Sequence, residues 1–243
     1  MMEFFLPDGP VGIPPVGEMR RVCARLLPQD EAARFALAVQ PRSSTRQAAL
    51  AALDQLFPAL PADQMDTIRH DGRRAPVAVL PPTLPKTLIS LTDEGGWAGA
   101  LAAVPAHGAD LAGIGLDLAS VEDFPLDGHA PSLYAHLFTP RERALLEEYS
   151  PSARPCAAAA LFAAKESAIK CTAPLIRRLE PASMAAIRAP RFSQLEVRLK
   201  QGCGPVVFSG QARRDAQLLG LRAVQVVCLI GGRISFAAAK CMI

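Results

Sequence analysis

Residues Leu111–Ser120 read LAGIGLDLAS and predict a β-strand with two different faces. Side chains alternate between the faces of a strand, so the alanine, isoleucine and leucines at the even positions form an apolar face. The other face carries Gly113, Gly115, Asp117 and Ala119, a carboxylate beside residues with almost no side chain. A ligand or metal ion could approach backbone and carboxylate together there. The alternative is a solvated or turn-capping Asp117 beside a glycine-marked β-bulge.

A helix predicted over Ala157–Cys171 carries the second informative pattern. Phe162, Glu166 and Lys170 are spaced by four residues and therefore share one helix face. The simplest interpretation of Glu166 and Lys170 is a surface ion pair worth about 0.2–0.5 kcal/mol. However, the rest of the helix is mostly alanine and apolar, as in a buried element, and buried charges need partners. One acid with two bases, Lys165 and Lys170, suits a metal–diphosphate site.

The elements around these two segments are predicted from capping and turn signals. We interpret the first 60 residues as helix and loop, with a capping box at Ser44 that begins a helix reaching Phe57. Thr139 and Glu142 form a second capping box around Pro140, which favours a helix start. The predicted strands are Thr87–Thr92, Trp97–Val104, Phe192–Lys200, Val206–Ser209, Ala223–Ile230 and Arg233–Ala239. Residues 93–96, which read DEGG, predict a hairpin turn between the first two. This order of elements favours an α+β fold.

Composition excludes several classes of protein. The 243 residues have a formal net charge of +3, and the arginines are dispersed, so we expect no nucleic-acid partner. The six cysteines include no Cys-x-x-Cys pair, which argues against zinc and against a disulfide framework. No apolar run is long enough for a membrane span, and we see no signal-peptide pattern. The expectation is a cytoplasmic protein with no membrane partner.

The two patterns together resemble the signatures of the 4′-phosphopantetheinyl transferase superfamily. Gly115-Leu116-Asp117 is similar to that family's Gly-x-Asp motif, and residues 162–170 are similar to its Phe-x-x-Lys-Glu-x-x-x-Lys motif. The segment 138–142 between them also resembles the family. Each motif is short, but their order, spacing and strand or helix context agree.

The resemblance implies an activity and its residues. The enzyme would transfer the phosphopantetheine arm of coenzyme A to a serine of an acyl or peptidyl carrier protein, releasing 3′,5′-ADP. Asp117 and Glu166 would hold Mg²⁺ on the coenzyme diphosphate. Glu166, or a water that it orients, would take the serine proton. Lys165 and Lys170 would neutralise phosphate charge, so the implied catalytic set is Asp117, Glu166 and Lys170.

The resemblance also implies an architecture. The length matches the surfactin-type, double-length monomers of the family, although the motif wording is closer to holo-acyl-carrier-protein synthase. We therefore expect an α+β protein with two similar halves in a pseudo-twofold arrangement, each a small antiparallel sheet packed with helices. The predicted halves are residues 1–110 and 111–243, with coenzyme A at their junction and the metal-binding motifs in the second. A monomer is expected.

The resemblance is faint upstream of residue 111. Arg73 and Arg46 could contact coenzyme phosphates, although ordinary surface arginines are an equal alternative. Ser90 and Thr92 fall where the long form usually has Ser-x-Ser-His, and we predict them to line the coenzyme site. Asp93 replaces the histidine that would contact the 3′-phosphate, so it either points elsewhere or weakens coenzyme binding. Ala119 replaces a carboxylate that could be a third metal ligand.

Two other functions stay open at this point. One is a non-catalytic homologue that binds a carrier protein or coenzyme A without transfer, which Asp93 favours. The other is an unrelated α+β binding protein with accidental motifs, in which Asp117 and Glu166 would lie far apart. Carrier proteins are generally acidic near their serine, so candidate docking charges exist on either side of the second motif. These are Arg141, Arg143, Arg177 and Arg178.

Overall fold

The protein is built on antiparallel sheets. The computed structural model describes residues 13–61, 68–70, 76–125, 130–176, 191–200 and 202–243. The first sheet has the order β1-β5-β4 and the second has the order β6-β10-β9-β8-β7, while β2 and β3 form a small ribbon. In chain order the strands are β1 (Ala32–Pro41), β2 (Ile68–His70), β3 (Pro76–Ala78), β4 (Leu88–Glu94), β5 (Trp97–Pro105), β6 (Leu111–Ser120), β7 (Leu195–Val197), β8 (Cys203–Phe208), β9 (Ala223–Leu229) and β10 (Ile234–Met242).

Helices cover the outer face of each sheet. The helices of the described residues are α1 (Val16–Leu26), α2 (Thr45–Leu56), α3 (Ala130–Leu137), α4 (Pro140–Glu147), α5 (Arg154–Ile176) and α6 (Gly210–Leu218). Helix α2 packs its buried alanines and leucines on the first sheet. Helix α5 packs on β6 and β10 of the second sheet. None of the described helices combines the length and the hydrophobicity that crossing a bilayer requires.

The inner faces of the two sheets share a core with α1. Leu37 and Leu101 of the first sheet belong to the same buried cluster as Leu116 and Phe236 of the second. Met19 of α1 is buried in this cluster. The resulting layers are helix, sheet, sheet and helix, which confirms the predicted α+β class. The pseudo-twofold relationship and the division at residue 110 stay predictions.

Local sequence signals located several elements correctly. Strand β6 has the predicted bounds, and Gly95 and Gly96, with φ of 55° and 78°, form the predicted turn between β4 and β5. Both capping boxes are present, at Ser44 with Gln47 and at Thr139 with Glu142. Positive φ values are typical of tight hairpin turns, which explains the two glycines.

Other predictions were wrong. The first 60 residues are not helix and loop alone, because β1 runs through them at Ala32–Pro41. Ala36 and Ala38 face α2, while Leu37 and Val39 face the shared core, so burial on both faces removes the polar–apolar alternation that marks a strand. Helices α3 and α6 were not predicted. The predicted strand Phe192–Lys200 is a 3₁₀ turn followed by the short β7.

Candidate active site

The glycine-bearing face of β6 is covered by helix α5. A Cβ atom built on Gly113 would lie 1.9 Å from the carbonyl oxygen of Cys171, and one on Gly115 would lie 1.8 Å from that of Ser167. The glycines therefore allow the helix backbone to approach the strand closely, and every β6 side chain before Ser120 is buried. This corrects the interpretation of that face as a bare surface for a ligand.

Asp117 lies on the same face of β6 as the two glycines, two residues after Gly115. Its carboxylate oxygen Oδ1 accepts hydrogen bonds from Lys170 Nζ at 2.7 Å and from Thr92 Oγ1 at 3.1 Å. The side chain is 8% exposed. Desolvation raises the pKa of Asp117 to about 6, Lys170 opposes the rise, and the charge of Glu166 adds to it.

Glu166 and Lys170 lie one helical turn apart on α5, as predicted. Desolvation raises the pKa of Glu166, and the nearby Lys170 opposes this. The Lys170 ammonium also donates to the carbonyl oxygens of Leu91 at 3.3 Å and Leu116 at 3.2 Å. Because the charge of Glu166 acts on Asp117, and both carboxylates interact with Lys170, the strand and helix motifs converge in space.

Ser90 and Thr92 connect β4 to β6, which are edge strands of different sheets. Ser90 Oγ accepts a hydrogen bond from the Leu116 N–H at 2.9 Å, and Thr92 Oγ1 accepts one from the Leu118 N–H at 3.2 Å. Both hydroxyl-bearing side chains are buried. These two hydrogen bonds join β4 to β6 in place of the backbone–backbone hydrogen bonds that link strands within one sheet. Thr92 also positions Asp117. Their predicted contact with a coenzyme stays a prediction.

Lys165 is the predicted site residue whose surroundings differ most from expectation. Its side chain is fully buried, 2.6 Å from Glu142 Oε2, and it donates to the carbonyl oxygens of Leu137 at 2.7 Å and Phe192 at 2.9 Å. A lysine ammonium has three donors, and these partners use all of them. We therefore remove Lys165 from the proposed coenzyme-binding set, because its fully buried ammonium is paired with Glu142 and cannot reach a phosphate, whereas the Lys170 side chain is 32% exposed.

The remaining candidate residues are the arginines and Asp93. Arg46 is exposed on the first turn of α2, and Arg73 lies outside the described residues, as do Arg177 and Arg178. Asp93 is exposed. By strand alternation it projects from the face of β4 opposite to Thr92, so it points away from Asp117.

Sequence reasoning missed Glu94 and the full role of Glu142. Glu94 is partly buried and follows Thr92 by two residues. Its pKa is raised mainly by desolvation, and the negative charges of Asp123 and Asp117 raise it further. Period-two alternation along β4 could have indicated it. Glu142 caps α4, but its buried carboxylate also accepts the Val197 N–H at 2.8 Å, a partner that no sequence pattern reveals.

The donor set of the site fits magnesium. Mg²⁺ prefers oxygen ligands and is commonly held by one or two carboxylates, substrate phosphates and water. Asp117 and Glu166 supply two carboxylates whose mutual repulsion and desolvation a cation would relieve. Among the described residues, no group of three or more His, Cys, Asp or Glu side chains gathers as a metal site. The remaining ligands would therefore be phosphate and water oxygens.

Comparisons with known proteins match about half of the chain. Among solved structures, holo-ACP-synthase from Plasmodium yoelii has 21% identity and a TM-score of 0.41, covering 54% of this chain and 94% of its own. The coenzyme A complex of the synthase from Chronobacterium ammoniagenes has 22% identity and a TM-score of 0.42, covering 54% and 96%. The Helicobacter pylori synthase with coenzyme A has 12% identity and a TM-score of 0.38, covering 53% and 98%. No curated protein sequence matches the chain.

The family comparison agrees with the motifs. A family model described as the 4′-phosphopantetheinyl transferase superfamily matches residues 113–220. This region contains Asp117, Glu166 and Lys170, the residues on which the resemblance was based. Over residues 113–220 the chain is therefore similar to the 4′-phosphopantetheinyl transferase superfamily.

Proposed function

We propose that this phosphopantetheinyl transferase moves the 4′-phosphopantetheine arm of coenzyme A to a serine hydroxyl of an acyl or peptidyl carrier protein, in the presence of Mg²⁺. The observation that carries the proposal is the convergence of Asp117 and Glu166 beside Lys170. It disfavours the alternative of accidental motifs, which requires the two carboxylates to lie far apart.

Each residue has a distinct part in the proposed reaction. The serine Oγ attacks the β-phosphorus of coenzyme A, the bond to the nucleotide phosphate breaks, and 3′,5′-ADP leaves. Asp117 and Glu166 would hold the metal ion, which neutralises charge on the diphosphate when bound. Glu166 accepts the serine proton, directly or through water, and desolvation that raises its pKa suits it to this task. Lys170 holds Asp117 in place and adds positive charge beside the phosphates.

The test is transfer onto apo carrier proteins, followed by mass spectrometry with Mg²⁺ or with a chelator. We expect Asp117→Asn and Glu166→Gln to fold and to lose transfer by at least about a hundredfold, because general-base and charge-neutralising contributions have this size. Glu147→Gln, which removes an exposed carboxylate on α4, is the matched control and should retain activity. Near-normal, Mg²⁺-dependent transfer by both site variants would contradict the site assignment.

The non-catalytic alternative makes a different prediction. In that case the wild-type chain would bind coenzyme A, yet it would transfer nothing to fatty-acid, polyketide or peptide carrier proteins. Asp93 was the sequence feature that favoured this reading. Because Asp93 projects away from Asp117, it gives no reason to expect a disabled site.

A further inference from the structure

Glu94 lies on the same face of β4 as Ser90 and Thr92, because side chains alternate along a strand. The hydroxyls of Ser90 and Thr92 accept hydrogen bonds from the backbone N–H groups of Leu116 and Leu118. In both bonds the β6 residue lies 26 positions after the β4 residue, so the two strands advance in the same direction. The β4 face that carries Glu94 therefore runs along the last residues of β6.

Glu94 lies within reach of the candidate metal site. Thr92 donates to Asp117 Oδ1 at 3.1 Å, and Glu94 follows Thr92 by two residues. Two residues of a strand span about 7 Å, and a long side chain that leans along the strand shortens this distance. The carboxylate of Asp117 is close enough for its charge to act on Glu94.

Glu94 has no cation beside it in the part of the chain that the structure describes. The side chain is partly buried, and the charges that act on it are the carboxylates of Asp123, Asp117 and Asp93. It accepts a hydrogen bond from the Gly95 N–H, which uses one of the roughly four acceptor positions of a carboxylate. Charges taken out of water need partners. A bound cation nearby would supply the partner that these acidic neighbours do not.

The turn that follows Glu94 is held by packing on two sides. A Cβ atom built on Gly95 would lie 2.9 Å from Ile234 Cδ1, so the turn packs against the start of β10. The carbonyl oxygen of Gly96 accepts a hydrogen bond from the Arg42 N–H at 2.7 Å, which ties the turn to the connection between β1 and α2. Glu94 is therefore presented by a supported element, as the placement of a functional side chain requires.

We propose that Glu94 is a third carboxylate of the candidate metal site, and that it acts through a water bound to the cation. Because it requires a cation at Asp117 and Glu166, this role rests on the proposed function. No three acidic, histidine or cysteine side chains of the described residues gather closely enough to ligate one metal ion, so water lies between. Mg²⁺ keeps several of its waters, and partners outside the ligand shell strengthen metal binding.

Binding of Mn²⁺ in place of Mg²⁺ tests this role without requiring transfer. Free Mn²⁺ is measured by electron paramagnetic resonance during titration of the chain with coenzyme A and no carrier protein, in about 0.15 M salt to screen exposed charges. Glu94→Gln should weaken Mn²⁺ binding by about tenfold or more, as loss of an outer partner does. Glu94→Asp keeps the charge and should recover part of the affinity.

Asp93→Asn is the matched control. It makes the corresponding change at the preceding residue of β4, whose exposed side chain projects from the opposite face. Its Mn²⁺ affinity should equal that of the wild type. Equal weakening by Asp93→Asn and Glu94→Gln would show a general effect of net charge and would overturn the proposal.

Stability separates this role from a structural one. With a chelator present, Glu94→Gln should be no less stable than the wild type, because it removes a charge that its neighbours repel. In transfer assays it should need more Mg²⁺ for half-maximal rate, while the KM for coenzyme A and the rate at saturating Mg²⁺ stay close to wild type. A loss of stability with unchanged Mn²⁺ affinity would overturn the proposal and assign Glu94 to the turn.

The same measurements distinguish this role from the proposed function. A wild-type chain that binds Mn²⁺ through Glu94 but transfers nothing to any carrier would refute the proposed function and leave this role standing. Transfer by the wild type, with a Mn²⁺ affinity that Glu94→Gln does not change, would refute only the role of Glu94.

Discussion

Lys170 on α5 forms an ion pair with Asp117 on β6, with 2.7 Å between Nζ and Oδ1. The same ammonium donates to the carbonyl oxygens of Leu91 on β4 and Leu116 on β6. One side chain therefore joins the long helix to an edge strand of each sheet. The carboxylate that this arrangement positions is nearly enclosed, and its ionisation should influence the stability of the whole fold.

The stability of the metal-free protein should fall as pH rises between about 4 and about 6. Desolvation raises the pKa of Asp117 from an ordinary 3.8 to about 6, so the folded chain binds this proton more tightly than the unfolded chain. Where the folded state holds more protons, the free energy of unfolding decreases with increasing pH. The destabilisation is absent below the pKa of Asp117 in the unfolded chain and complete above its pKa in the folded chain.

Asp117→Asn isolates this effect because asparagine resembles the protonated acid. In urea unfolding with a chelator, the stability of the variant relative to wild type should rise by about 2 kcal/mol between about pH 4.5 and about pH 7.5. Asp93→Asn, which makes the same change at an exposed carboxylate, is the matched control. A relative stability of Asp117→Asn that stayed constant or fell over this range would contradict the buried, destabilised carboxylate.

Gly115→Ala tests the close packing of β6 on α5. The added Cβ would lie 1.8 Å from the Ser167 carbonyl oxygen, and backbone cannot move aside as a side chain can. We expect a loss of about 1–3 kcal/mol or more in unfolding free energy. Transfer should also fall, because any shift of α5 displaces Glu166 and Lys170 together.

Gly17→Ala is the control for the same chemical change. Gly17 lies in α1, and nothing would contact its added Cβ within 4 Å. Alanine favours helix over glycine by roughly 0.5–1 kcal/mol, so this variant should be neutral or slightly stabilised. If thermal and urea unfolding found Gly115→Ala equally well tolerated, the close approach of helix and strand would be wrong.

The sequence predicted those parts of the fold that depend on neighbouring residues. Strand β6, the turn at Gly95 and Gly96, and both capped helix starts rely on local geometry, and they were located correctly. Strand β1 was missed because its character comes from burial on both faces. Its alanine-rich sequence has no strong strand propensity of its own, so tertiary packing determines its structure.

In the candidate site, too, the features set by local spacing were predicted and those set by tertiary packing were missed. Spacing alone placed Glu166 and Lys170 on one helix face, and the resemblance supplied the pairing with Asp117. The close contact of Gly113 with α5 depends on where the helix packs, and no periodicity reveals it. Lys165 likewise appears chemically equivalent to Lys170 in the sequence, but its partner Glu142 lies on a different helix.

Lys165 and Glu142 should therefore behave as a structural pair. Replacing one partner of a buried ion pair typically costs about 3–5 kcal/mol, because the other charge is left uncompensated. We expect Lys165→Met and Glu142→Gln each to destabilise the protein strongly. The double variant should be more stable than the sum of the single effects predicts, by at least about 1 kcal/mol.

Activity separates this role from phosphate binding. Measured per folded molecule at low temperature, transfer by Lys165→Met should stay within about threefold of wild type, well under the roughly tenfold loss that 1.4 kcal/mol would produce. Additive energies in the double-variant cycle, or a folded Lys165→Met protein without transfer activity, would contradict the structural role. The prediction that Lys165 binds the coenzyme would then stand.

Thr92→Val should affect stability and metal dependence together. The hydroxyl donates to Asp117 Oδ1 and accepts from the Leu118 N–H, so its removal leaves one buried donor unsatisfied and one carboxylate less restrained. An unsatisfied buried group costs about 1–3 kcal/mol.

Ser90→Ala is the matched control. It also leaves a backbone donor, the Leu116 N–H, without its acceptor, but Ser90 does not contact Asp117. Both variants should lose stability, whereas only Thr92→Val should need more Mg²⁺ for half-maximal transfer, and Thr92→Ser should restore it. If Ser90→Ala changed the Mg²⁺ requirement as much as Thr92→Val does, the effect would come from the joint between the sheets, and Thr92 would have no separate role in positioning the carboxylate.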